Sequence, residues 1–112
     1  VASRLEAEGW TILGRQVRVG RHEVDLVAID PGPPSALVIV EVRARRDPTF
    51  GTPEETVDRR KRAHLHAAAA GLLGAGRLPD GRPLPRLPIR LDVVAVDLSG
   101  RAWVIRHHRA AC

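Results

Sequence analysis

Apolar and polar residues follow one another along this chain with a period that changes from segment to segment, and each change predicts an element. Residues 3–9 carry Leu5 among Arg4, Glu6 and Glu8 and stop at Gly9, the pattern of a helix end. From 10 to 19, Trp10, Ile12, Val17 and Val19 with Arg15 and Arg18 between them predict a strand that turns at Gly20. Residues 23–29 predict a second strand. The segment Asp30-Pro31-Gly32-Pro33-Pro34-Ser35 cannot continue a ladder, because proline lacks the N–H donor, so a hairpin-type connection follows. Residues 37–43 are rich in β-branched side chains and apolar on both faces over their first half, as a central strand requires.

The period then lengthens. Thr52 as N-cap, Pro53 at the first helical position and Glu55 closing a capping box predict a helix from 52 to about 73. At about 100° per residue, Val57, Lys61, Leu65, Ala68 and Leu72 share one stripe, with Arg59, His66 and Ala70 opposite, so Lys61 is expected to point inward. Glycines and prolines from Gly74 to Pro88 predict an irregular connection. Residues 89–98 then read as a buried strand and 102–106 as a short edge strand after the Ser99-Gly100 turn. The order is helix, three strands, helix, two strands, which predicts an α/β domain with a central mixed sheet of about five strands flanked by helices.

Composition narrows the setting. The 112 residues, 44% of them apolar, suit one compact domain over 1–112. The apolar runs at 36–40 and 67–73 are far shorter than the roughly 18 residues that cross a bilayer, so no membrane association is expected. The single cysteine, Cys112, excludes an internal disulfide, and with no signal-peptide pattern the expected location is cytoplasmic. The chain opens on Val1 and holds no methionine, so the first helix is expected to be truncated. Eighteen basic against 13 acidic side chains give a net charge of +5. The basic residues cluster as Arg43, Arg45, Arg46 and as Arg59, Arg60, Lys61, Arg62, which predicts a polyanion-binding face.

Side chains alternate along a strand, so Glu23 and Asp25 are expected on one face of the second strand, and Glu41 and Arg43 on one face of the third. If the two strands are hairpin neighbours, the three carboxylates converge against a sheet, and a divalent cation with oxygen ligands, Mg²⁺ or Mn²⁺, is the natural compensator. The competing reading makes them ion-pair members, Glu41 with Arg43 or Arg45 and Asp25 with a nearby arginine.

Asp25, fifteen intervening residues, then Glu41-Val42-Arg43 resembles the D-X(n)-E-X-K signature of the PD-(D/E)XK nuclease superfamily. Five blocks in order resemble the YraN family of bacterial proteins over nearly the whole chain: Arg21-His22-Glu23-Val24-Asp25-Leu26-Val27-Ala28, Val40-Glu41-Val42-Arg43-Ala44-Arg45, Gly51-Thr52-Pro53-Glu54-Glu55, residues 57–65 with Lys61, and Arg90-Leu91-Asp92-Val93-Val94-Ala95-Val96. The resemblance implies a restriction-endonuclease-like fold close to that of archaeal Holliday junction resolvases, and a metal-dependent DNA endonuclease that could act on branched DNA. Asp25 and Glu41 would hold the metal, the Val42 carbonyl would add a backbone ligand, and Glu23 would be an outer or second-metal ligand. Arg43 stands where the superfamily has lysine. It can balance phosphate charge but cannot act as a base, and Lys61 is the substitute the family's helix suggests. His22 also departs, standing where the family has glycine.

Arg45, Arg46, Arg59, Arg60 and Arg62 are the expected nucleic-acid contacts. Asp92 is expected to pair with Arg90, His64 and His66 diverge around the helix, His107 and His108 fall in a basic tail, and Trp10 and Trp103 are expected in packing. Two functions compete: the endonuclease, for which a resolvase-type activity would need a symmetric homodimer, and a non-catalytic nucleic-acid-binding module that kept the fold, which Arg43 favours. An interaction protein completed by its partner is a third.

Overall fold

A computed structural model describes residues 1–46 and 51–111. Its elements are α1 (Ala2–Ala7), β1 (Thr11–Val19), β2 (His22–Asp30), β3 (Ala36–Arg45), a 3₁₀ turn (Pro53–Thr56), α2 (Arg59–Ala75), β4 (Ile89–Asp97) and β5 (Val104–His108). The strands form one sheet in the order β1-β2-β3-β4-β5. Only β3 and β4 are parallel, and the connection that carries α2 supplies the crossover such a pair needs. Among the described residues no helix is long and apolar enough to cross a membrane.

The sheet separates two apolar layers, and β3 feeds both. Leu37 and Ile39 pack with Val24, Val27, Leu65, Ala68, Leu72, Leu91 and Val93 beneath α2. Val38 and Val40 pack with Leu5, Trp10, Leu26, Ala28 and Val94 on the face closed by α1. This two-sided burial is why β3 reads as continuously apolar in its first half. Gly71 lets α2 lie directly on β1, since a Cβ there would stand 2.7 Å from a methyl of Val19. Gly76, in the left-handed conformation at φ 66°, ends the helix, its amide donating to the Leu72 carbonyl.

Two expected boundaries move. The helix does not start at Thr52, which makes no capping bond through its side chain. Residues 53–56 form a separate 3₁₀ turn. Val57 leaves helical geometry with ψ 78° and is buried in the core, and Asp58 then caps α2 by accepting from the Lys61 amide at 2.9 Å. Both positions carry N-cap chemistry, and burial of Val57 between them decides for the second. The last strand is Val104–His108 rather than 102–106, because Asp97 accepts from the Ser99 amide and hydroxyl and the turn runs longer. His107 and His108 are therefore strand residues, not a tail. Trp10 is buried as expected, while Trp103 precedes β5 and is 70% exposed.

Candidate functional site

Strict alternation along β2 breaks at Asp25. Val24 packs beneath α2, yet Leu26, two residues on, packs on the α1 face. Opposite this break, between the ladder pairs Arg15↔Leu26 and Val17↔Val24, Gln16 adopts φ 49°, uncommon outside glycine and the mark of an irregular ladder. The β2–β3 ladder reaches Leu26↔Val40, and beyond it the Asp25 carboxylate accepts the Val42 amide at 2.7 Å. Asp25 thus ties the two strands together where their regular pairing stops, next to Glu41.

Glu41 lies on the α2 side of β3 and is 4% exposed. Its Oε1 faces two cations, Lys61 Nζ at 3.2 Å and Arg43 Nε at 3.3 Å. Its Oε2 is buried without a hydrogen-bond partner, and Arg43 Nε, though near enough to pair by charge, is not aligned to donate. Burial first, then the neighbouring Asp25 charge, push the Glu41 carboxyl above its ordinary value, against the pull of Lys61 and Arg43. Lys61 reaches this site because α2 begins at Asp58, which puts Lys61 in its first turn, over the sheet. The inward orientation read from the helical stripe agrees with this placement.

The structure does not bring Glu23 into the group. It pairs loosely with Arg18 at 3.9 Å, with 45% of its side chain exposed. Among the described residues no three His, Cys, Asp or Glu side chains gather closely enough to hold a metal between them. The expectation that Glu23 and Asp25 share a face assumed regular alternation, which fails at Asp25. The cluster is therefore Asp25 and Glu41 with Lys61 and Arg43, and Val42 bound to Asp25 through its amide. Arg59, Arg60 and Arg62 are exposed around the start of α2, Arg46 is exposed just beyond β3, and Arg45 is half-buried near the end of that strand.

Two further charged clusters were not legible in the pattern of residues. Glu54, in the 3₁₀ turn, accepts two bonds from Arg106 at 2.5 and 2.8 Å and lies 2.9 Å from His108 Nε2. Arg106 above all holds its carboxyl well below the usual range. On the α1 face, Asp92 receives Arg90, as expected from their spacing, but also His107 and the Ala110 amide, while Arg90 reaches on to Asp30. Trp10 closes this cluster, with His107 5.4 Å and Arg90 5.7 Å from its ring. The one available signal was the shared sign of the 106–109 segment opposite Glu54 and Asp92.

A five-strand mixed sheet flanked by two helices, with a buried carboxylate and two cations at the end of the central strand, defines the class: a compact α/β domain. The chain belongs to Uncharacterised protein family UPF0102, whose model matches residues 1–96, the family that the sequence blocks above resemble under the name YraN. It is 40% identical over 110 residues to the UPF0102 protein of Moorella thermoacetica, covering 98% of this chain and 79% of that protein. With UPF0102 protein CT2262 of Chlorobaculum tepidum it shares 36% identity over 116 residues, covering 98% and 83%. With the UPF0102 protein of Halorhodospira halophila it shares 40% over 100 residues, covering 89% and 73%.

Proposed function

We propose that this domain is a divalent-metal-dependent endonuclease that hydrolyses DNA phosphodiester bonds, built on a restriction-endonuclease-like fold, with Asp25 and Glu41 as the residues that hold Mg²⁺ or Mn²⁺. One observation carries the reading: Glu41 Oε2 is a buried oxygen with no partner, beside a second carboxylate. Buried polar atoms are rarely left unsatisfied, and one that is asks for an occupant. An oxygen-only donor set with two negative charges suits a hard divalent cation. When bound, such a cation supplies Lewis-acid activation of water and charge balance for the scissile phosphate.

The chain's own residues do the rest. The Val42 amide fixes the Asp25 carboxylate, so its remaining oxygen is held beside Glu41 at little entropic cost. The Arg43 guanidinium supplies positive charge and N–H donors for the phosphate oxygens. Lys61 Nζ, 3.2 Å from Glu41 Oε1, is the second cation at this cluster and the N–H donor placed for the leaving oxygen. The arginines at the start of α2 and the end of β3 give the strand a cationic approach.

The test is to incubate the full chain with four-way-junction, single-stranded and duplex DNA plus Mg²⁺ or Mn²⁺, beside Asp25→Asn and Glu41→Gln. Cutting that needs metal and disappears in both variants is the expected result. Salt-dependent binding without cutting, equal in parent and variants, would replace it with the non-catalytic module, for which Arg43 in the lysine position is the specific support.

A further inference from the structure

Beside Lys61, and separate from the Asp25–Glu41 pair, lies a cavity of about 380 Å³ between the start of β2 and the first turns of α2. Arg21, His22, Arg60, Lys61 and His64 line it together with Glu23, Val24 and Leu65. His22 and His64 are in ring contact in its lining, their centroids 4.9 Å apart and their planes inclined by 34°. The balance of donors is one-sided. Arg21 and Arg60 bring guanidinium donors, the imidazoles add N–H groups, Lys61 is shared with Glu41, and the one acidic member, Glu23, pairs loosely with Arg18.

We infer that this cavity is a seat for a phosphate of the nucleic-acid strand next to the one that is cut, with Arg21, Arg60 and the His22–His64 pair as its donors. The inference rests on the nuclease reading for the identity of the strand, and on the cavity alone for the chemistry. Guanidinium groups match phosphate oxygens bidentately, and a recess that collects several of them from two elements fixes a strand's register rather than only attracting it. Lys61 is the shared wall: it lines this cavity and stands 3.2 Å from Glu41 Oε1. A phosphate seated here therefore puts the neighbouring stretch of backbone at the carboxylate pair. His22, the first residue of β2, brings an imidazole into the recess beside His64.

The test uses the full chain in metal-free buffer with chelator, so that binding is read without cleavage. Inorganic phosphate is titrated while the ring proton signals of the five histidines are followed by NMR. The affinity of a single-stranded oligodeoxynucleotide is measured as a function of salt for the parent, Arg21→Ala, His64→Gln and the charge-matched control Arg86→Ala, an exposed arginine outside the cavity. The expected result is saturable movement of two histidine signals, those lost or altered in His64→Gln and His22→Gln. The oligonucleotide should bind about tenfold more weakly in Arg21→Ala, with the salt slope reduced by about 1, and the Arg86→Ala control should stay within twofold of the parent.

Equal loss in Arg21→Ala and Arg86→Ala would overturn the inference, since charge and not a seat would then explain binding. Phosphate that moves the two signals while oligonucleotide affinity is unchanged in both cavity variants would overturn the strand assignment. His64→Gln protects the test against a folding failure, because Arg21 is exposed and the two variants perturb different elements. Seating without any cleavage in the assay above would end the nuclease reading and, with it, the placement beside a cut phosphate, and leave only the phosphate seat standing, while cleavage unaffected by Arg21→Ala and His64→Gln would do the reverse.

Discussion

Glu41 and Asp92 are both buried carboxylates on neighbouring central strands, 4% and 0% exposed, yet they have opposite surroundings. The register Val40↔Asp92 and Glu41↔Val93 offsets them by one residue, which sends them to opposite faces of the sheet. Asp92 is saturated: Oδ1 accepts from Arg90 Nε at 2.8 Å and from the Ala110 amide at 3.0 Å, and Oδ2 takes Arg90 Nη2 at 2.9 Å and His107 at 2.8 Å. Burial pulls its carboxyl upward, but these bonds outweigh it and hold the group below its ordinary value. Glu41 has two cations on one oxygen, nothing on the other, and a carboxyl held above its ordinary value. A saturated carboxylate has no capacity left for a ligand and serves to fasten β4, β5 and the 107–111 segment. An unsaturated one costs stability and leaves an oxygen free to accept.

The comparison breaks most visibly in stability. Asp92→Asn removes the charge that Arg90 and His107 are arranged around, and should cost about 3–5 kcal/mol in urea unfolding, as breaking a buried pair does. A loss under about 1 kcal/mol would mean that the cluster is dispensable. Acid reads the same contrast. The carboxyls of Asp92 and Glu54 are depressed in the folded protein, so their contributions are complete above the unfolded values of 3.8 and 4.5 and disappear as pH falls further. The parent should lose stability below about pH 4, and Asp92→Asn should lose it less steeply, as equilibrium unfolding at stepped pH will show.

The smallest effect has the opposite sign. Glu41 is held above its ordinary value of 4.5, so its charged form is disfavoured by folding, and the penalty is present at neutral pH and relieved on acidification. Glu41→Gln should therefore raise neutral-pH stability by up to about 1 kcal/mol, measured by the same urea titration, while Asp92→Asn lowers it. Equal losses in the two variants would remove the distinction between a fastening and a functional carboxylate.

How much of this was legible in sequence depends on how local each signal is. The strand β3 announced itself because both of its faces are buried, and Arg90 with Asp92 because they are two residues apart on one strand. Lys61 was placed inward by helical spacing even though the helix start was set at the wrong cap. Thr52 and Asp58 offer similar capping chemistry, and only the burial of Val57 separates them. Glu23 was grouped with Asp25 because a break in alternation, tied to Gln16 across the ladder, leaves no mark in the β2 residues themselves. His107, which adds to Arg90 on Asp92, and Arg106 and His108, which bind Glu54, come from β5, whose register followed a longer turn than Ser99-Gly100 alone suggests. Arg46, Arg59, Arg60 and Arg62 are exposed around the end of β3 and the start of α2, as charged side chains in a cluster are expected to be.

On the function proposed above, Glu41 and Asp25 together would hold a divalent cation. Calorimetric titration of Mn²⁺ into the parent, Asp25→Asn, Glu41→Gln and, as a buried carboxylate already bonded to the Gly32 amide and Arg90, Asp30→Asn tests this most directly. One Mn²⁺ per chain is expected in the parent and in Asp30→Asn, and no saturable binding in Asp25→Asn or Glu41→Gln. Binding that survives loss of Glu41 would contradict it.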